Sequence, residues 1–185
     1  QPRAEFSEEL IAELAESIKV LGLIQPITVR ETSEGKYQII SGERRYRASK
    51  MAGLSTIPAY IKKTDNQGML EMAIVENIQR ENLNSIEIAI SFQRLMDECN
   101  LTQEAMSQRV GKKRATVANY LRLLKLPPVI QIAIRENKIT MGHAKALLGL
   151  EEDKEKIKVT DTIIKRGLSV RETEALVQKM NNPSA

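Results

Sequence analysis

A chain of 185 residues is long enough for one or two domains with a sizeable core. Hydrophobic residues make up 42% and charged residues 28%, and no apolar run nears the roughly 18–20 residues of a membrane span, which argues against a membrane or a secreted protein. One cysteine, Cys99, excludes an internal disulfide framework; with one histidine, His143, a Cys/His zinc site lacks ligands and a Ser-His-Asp hydrolase would hang on His143 alone. In chain order, Ser7 caps a predicted helix with Glu8 and Glu9 in its first turn, a stripe of Leu10, Leu14, Ile18 and Leu21, and Gly22 as its stop. Short strands follow at Ile27–Arg30 and Tyr37–Ile40 around the turn Ser33-Glu34-Gly35, then a helix from Glu43 to Ala52 and a strand over Ile57–Ile61, where Pro58 demands an edge or a strand end.

From Asp65 onward the pattern is helical: about Gln67–Gln79, then a helix opened by an Asn84/Glu87 capping box with Ile88, Phe92, Leu95, Met96 and Cys99 as its stripe. Cys99 is thereby a small core residue. Pro127-Pro128 ends a further helical pair. Thr140 caps a helix over Met141–Leu148, residues 152–166 form a charged amphipathic helix, and Ser169 and Glu172 make a second capping box. The fold class is therefore α+β, with an α/β domain over residues 1–64 and an all-α domain over 65–185. The chain starts at Gln1 rather than Met, which is expected of a piece of a longer protein.

Net charge is +4, yet the segment Arg109–Lys125 alone holds six basic residues and no acid. Within residues 101–124 a small residue (Ser107), a glycine four later (Gly111) and a β-branched residue six after that (Val117) have the spacing of a helix-turn-helix, whose second helix enters a major groove. Lys112, Lys113, Arg114, Thr116, Asn119 and Tyr120 lie on that second helix or at its entrance; arginine suits guanine, asparagine suits adenine and lysine suits phosphate. A plain helical hairpin with a solvated basic face is the bland alternative. With 3% aromatics and no Trp, base-stacking on single strands is disfavoured.

A second constellation, Ser41-Gly42-Glu43-Arg44-Arg45-Tyr46-Arg47, joins a strand to a helix. A glycine there lets backbone amides approach an anion at the helix N-terminus, and three arginines could clamp a triphosphate. It lacks the GxxxxGK[ST] pattern of a P-loop, and a basic surface helix offset by Glu43 and a DNA-phosphate patch are the other readings. Glu76 and Asn77 offer adjacent oxygens for Mg²⁺, with Arg80 as a further phosphate contact; an ordinary polar helix end has the same residues. His143 reads as a capping or phosphate-contact residue, and Lys145 as a phosphate contact or a solvated side chain.

Five motifs in order, Leu21-Gly22-Leu23-Ile24-Gln25-Pro26, Ser41–Ala48, Glu76–Asn84, the helix-turn-helix and Met141-Gly142-His143-Ala144, closely resemble the ParB family of chromosome- and plasmid-partition proteins. The resemblance implies a small ParB/sulfiredoxin-like N-terminal domain followed by a helix-turn-helix domain. It implies a bacterial cytoplasmic, nucleoid-associated homodimer that binds parS palindromes, closes as a CTP- and Mg²⁺-dependent sliding clamp and hydrolyses CTP slowly. A ParA-type ATPase and the SMC condensin are the implied partners. On this likeness Gln25, Ser41, Gly42, Glu43, Arg44, Arg45, Arg47, Asn77 and Arg80 hold nucleotide, Glu76 and Asn77 hold the metal, and Gln25 and Glu76 serve hydrolysis. Lys112, Lys113, Arg114, Thr116, Asn119, Tyr120, His143 and Lys145 face DNA. The ParA-stimulating tail and the C-terminal dimerisation domain are expected outside this chain. A nucleoid-occlusion paralogue and a nucleotide-free repressor are the alternatives; sulfiredoxin chemistry fails for want of a cysteine beside Gly42.

Overall fold

The computed structural model describes residues 8–63, 65–80 and 82–182. It divides into two compact units, Gln1–Leu70 and Glu71–Ala185, with the seam inside a helix.

In the first unit α1 (Glu8–Leu21) carries Glu8 and Glu9 in its first turn and is followed by Gly22, whose N–H donates to the Ile18 carbonyl at 2.8 Å. Ser7 lies outside the described residues. The buried stripe of α1 is Ile11, Ala15 and Ile18, with Leu14 packed at its side, while Leu10 is 45% exposed. The expected stripe is thus turned by one position. The reason is the partner: Ile11, Ala15 and Ile18 share one buried cluster with Ala48 of α2 (Glu43–Met51), the helix against which α1 packs.

Three strands form one sheet in the order β2-β1-β3, with β1 (Ile27–Glu31) central, antiparallel to β2 (Tyr37–Ser41) and parallel to β3 (Ala59–Lys62). The parallel pair requires a crossover, which α2 supplies. Being central, β1 buries Ile27, Thr28 and Val29. The third strand begins at Ala59 rather than Ile57 because Pro58 has no N–H for a ladder; its carbonyl still accepts from the Ile27 N–H at 3.3 Å.

The helix α3 (Gln67–Ile78) passes through the seam. The second unit contains α4 (Ser85–Cys99), α5 (Gln103–Arg109), α6 (Arg114–Leu123), α7 (Pro128–Arg135), α8 (Met141–Leu147), α9 (Asp153–Arg166) and α10 (Val170–Asn181). Its core is Phe92, Leu95, Met106, Val117, Leu123, Ile130 and Leu147, and Cys99 is buried among the hydrophobic residues of α4. Both capping boxes form: Asn84 with Glu87, and Ser169 with Glu172. The helix α7 is a correction to the sequence reading, which took Pro127-Pro128 only as a stop. Pro128 occupies the first turn of α7, where a missing N–H costs nothing. Gln131 then secures the turn before it, donating to the carbonyls of Leu124 at 3.1 Å and Leu126 at 2.9 Å. Among the described residues no helix is long and apolar enough to cross a membrane.

Candidate functional site

The helix pair α5–α6 is built by local rules. Thr102 caps α5 by accepting from the Ala105 N–H at 3.1 Å. Ser107 is buried, and its hydroxyl donates to the Glu104 carbonyl at 2.7 Å, so a polar side chain is accommodated inside. Gly111 has φ +66, a left-handed conformation that turns the chain between the helices. Met106 and Val117 are fully buried, and α6 packs against α4 and α5. This leaves Lys112, Lys113 and Arg114 exposed at the entrance of α6, with Thr116 and Asn119 half-buried beside them.

Two residues expected on the DNA face, Tyr120 and His143, have partners inside the unit, and Arg109 of the basic run has one too. Tyr120 sits three residues after Val117, hence on the same face, and its ring packs edge-on against Phe92 at 5.5 Å and 86°. It is half-buried and drawn toward the core. The ring of His143 is also committed. Its Nδ1 accepts from the Thr140 N–H at 3.0 Å and its Nε2 lies 2.8 Å from the Leu168 carbonyl oxygen, which can only accept. The ring is therefore the Nε2-protonated tautomer, with neither nitrogen left for a phosphate; it completes the capping box of α8 with Thr140. Lys145 is exposed two residues later. Finally, Arg109 of the basic run pairs with Glu71 at 2.6 Å.

The strand–helix junction of the first unit turns on Gly42. It has φ +101 and ψ 27, and a Cβ built on it would lie 2.7 Å from Ile27 Cγ2 and 3.2 Å from Arg45 Cζ. Both backbone conformation and space therefore demand glycine. The arginines divide their work. Arg45 donates from Nη1 to the carbonyls of Gln25, at 3.0 Å, and Pro26, so it bolts the turn carrying Gln25 to the start of α2. Arg47 pairs with Glu43 at 2.9 Å. Arg44 is exposed and Ser41 half-buried. Arg45 is thus a brace and Arg47 half of an exposed ion pair, while Arg44 is exposed in the first turn of α2. Ile27 is the residue that sequence reasoning missed: nothing local marks it, because its contact with Gly42 exists only once β1 and β2 are paired.

Glu76 and Asn77 lie in the last turn of α3, Glu76 exposed and Asn77 half-buried, and Arg80 follows with its N–H donating to the Asn77 carbonyl at 3.2 Å. They belong to the second unit, whereas Gln25 and the Gly42 junction belong to the first. Among the described residues no group of three or more His, Cys, Asp or Glu could hold a metal ion. Two oxygens suit Mg²⁺ when phosphates and water complete the shell.

Two carboxyls are displaced from their ordinary range. Glu136 is lowered by its hydrogen bond to Lys138 and then by that ammonium's charge. Glu172 is lowered by the backbone N–H of Ser169 and then by the Ser169 hydroxyl.

The model of the ParB N-terminal domain matches residues 1–78, and that of the ParB HTH domain matches residues 81–182. The chain belongs to the ParB family. ParB relatives include a probable chromosome-partitioning protein ParB from Pseudomonas putida, 47% identical over 97% of this chain and 61% of the relative. A nucleoid occlusion protein from Geobacillus thermodenitrificans is 47% identical over 97% of this chain and 64% of its own length. The crystal structure of the C-terminally truncated ParB from Caulobacter crescentus complexed to the centromeric parS site is 44% identical, with a TM-score of 0.57, covering 97% of this chain and 91% of that one. The chain thus spans just over six-tenths of the length of these curated relatives.

Proposed function

We propose that this chain is the nucleotide- and DNA-binding part of a bacterial segregation protein, chromosomal or plasmid, that reads a parS-like palindrome and uses CTP to switch a sliding clamp, hydrolysing it slowly. The observation that carries this reading is the α5–α6 pair, with Ser107 and Val117 buried, Gly111 in the turn and Lys112–Arg114 exposed at the helix entrance. In this reading Arg114 and Asn119 meet base edges and the lysines phosphates, with Lys145 as an additional phosphate contact. Palindrome reading follows from two-fold symmetry in a homodimer. The Caulobacter relative is described as complexed to parS, which supports the same ligand here.

Nucleotide binding is supported by the Gly42 junction. The bare backbone before α2 admits a phosphate where any side chain would collide with Ile27. In this reading Ser41, Gly42 and Glu43 line the cradle, while Arg44, Arg45, Arg47 and Arg80 supply positive charge. Arg45 also keeps the Gln25 turn against the cradle, where Gln25 orients the attacking water. Glu76 and Asn77 hold the metal. Mg²⁺, when bound with CTP, neutralises charge on the phosphate oxygens. Little covalent chemistry is asked of the chain, so a slow turnover serves as a timer between two dimer states. A ParA-type ATPase and an SMC condensin are the proposed partners, and the nucleoid the place of action.

Calorimetric titration of CTP with Mg²⁺, with and without a parS duplex, tests the reading. Micromolar-to-millimolar CTP binding that is strengthened by parS is expected; indifference to every ribonucleotide would reduce the protein to a helix-turn-helix repressor. The nucleoid-occlusion relative at 47% identity favours one second reading, an occlusion paralogue with the same fold. Preference for a different operator over parS in a competition assay would select it.

A further inference from the structure

The turn between α9 and α10 carries Lys165, Arg166 and Arg171, in a stretch (165–171) without an acid. All three are exposed, and among the described residues none is engaged in an ion pair or a side-chain hydrogen bond. At the other end of α9, by contrast, Lys156 is paired with Asp153 at 2.8 Å. The nearest acid to the turn, Glu172, has its Oε2 occupied by the Ser169 N–H and hydroxyl, both at 2.7 Å.

This turn does not hang loose. The His143 ring holds the Leu168 carbonyl at 2.8 Å, and a Cβ on Gly142 would meet Val170 Cγ2 at 2.9 Å, so the turn is seated on the first residues of α8. In turn α8 packs against α6, and the exposed Lys145 lies two residues beyond His143. A rigid chain of contacts therefore links the three cations to the helix that enters the groove.

We propose that the α9–α10 turn is a second contact to the DNA backbone, in which Lys165, Arg166 and Arg171 meet phosphates beside those met by Lys145. It rests on the reading of the second unit as a DNA binder and extends it to a surface that no helix-turn-helix spacing marks. Guanidiniums with unshared donors fit phosphate oxygens bidentately, and contacts of this kind position without reading sequence. The role of His143 follows: it acts on DNA only through the turn it holds.

Fluorescence anisotropy with a parS duplex and a random duplex, over a series of salt concentrations, tests this. The triple variant Lys165→Gln, Arg166→Gln, Arg171→Gln is compared with Lys154→Gln, Lys158→Gln, Lys179→Gln, which removes equal charge from the first half of α9 and the last turn of α10. Circular dichroism melts verify that both fold. The turn variant is expected to bind both duplexes about tenfold or more weakly, and its log–log salt slope to fall by about 2–3, near 0.9 per lost phosphate contact. The control variant keeps the wild-type slope. An unchanged slope in the turn variant overturns the proposal and leaves the patch to an acidic protein surface. Equal losses in both variants overturn it in favour of net charge alone. A wild type with no preference for parS would instead sink the site-specific reading, while the slope on random duplex still decides the turn.

Discussion

On the proposed function, the two units handle anions by opposite means. In the first, the binding device is backbone: Gly42 at φ +101 leaves a gap that any Cβ would fill, and Arg45 is turned inward to brace the Gln25–Pro26 carbonyls. In the second, the device is side chain: ordinary helices, capped at Thr102 and turned at Gly111, carry lysines and arginines outward. The difference teaches where each is fragile. A backbone cradle tolerates almost no change at its glycine. A cationic helix face loses affinity one contact at a time.

The largest expected effect is therefore at the cradle. Gly42→Ser should abolish CTP binding, because the side chain collides with Ile27 and a non-glycine residue at this φ costs roughly 1–3 kcal/mol. Calorimetry and a thermal melt read the two consequences, and wild-type CTP affinity in this variant would remove the glycine from the site. Next come the arginines. Both Arg44→Ala and Arg45→Ala should lose CTP binding while keeping initial parS binding, but only Arg45→Ala should also lower the melting temperature, since only Arg45 braces the Gln25 turn. Equal melting of the two variants would deny that structural role.

On the other side of the comparison, Arg114→Ala should cost about 1–3 kcal/mol on parS and leave CTP affinity intact, measured by anisotropy and calorimetry on one preparation. An equal loss on random DNA would recast Arg114 as a phosphate contact. Asn77→Ser should slow CTP turnover in a phosphate-release assay with parS affinity unchanged; wild-type turnover would take Asn77 out of the metal site. The smallest effect concerns α10. Because Glu172 is held below its ordinary value by Ser169, its cap stabilises above the unfolded carboxyl value of about 4.3 and is lost as pH falls through the lower folded value. Acid melts of wild type and Glu172→Gln should converge below that range and separate above it.

Much of this is legible in residue order. The capping boxes at Asn84/Glu87 and Ser169/Glu172 involve neighbours on one turn, so spacing alone announces them. The helix-turn-helix is equally local. Where the reading slips, a long-range partner decides: Leu10 yields to Ile11 because the Ile11–Ala15–Ile18 side of α1 clusters with Ala48 of α2, and Tyr120 turns inward because Phe92 lies there. The missed α7 is a different case, for Pro128 at a first helical turn is a local signal that was available.

By itself the sequence determined the α+β class, the helix-turn-helix and the special place of Gly42, since each depends on residues a turn or two apart and on intrinsic backbone preference. Only the tertiary structure decided that Arg45 braces Gln25, that Ile27 forbids a side chain at Gly42, and that the His143 ring holds the α9–α10 turn through Leu168. Those contacts join segments 15 or more residues apart, and such distances close only when buried apolar surface repays the entropy of bringing them together.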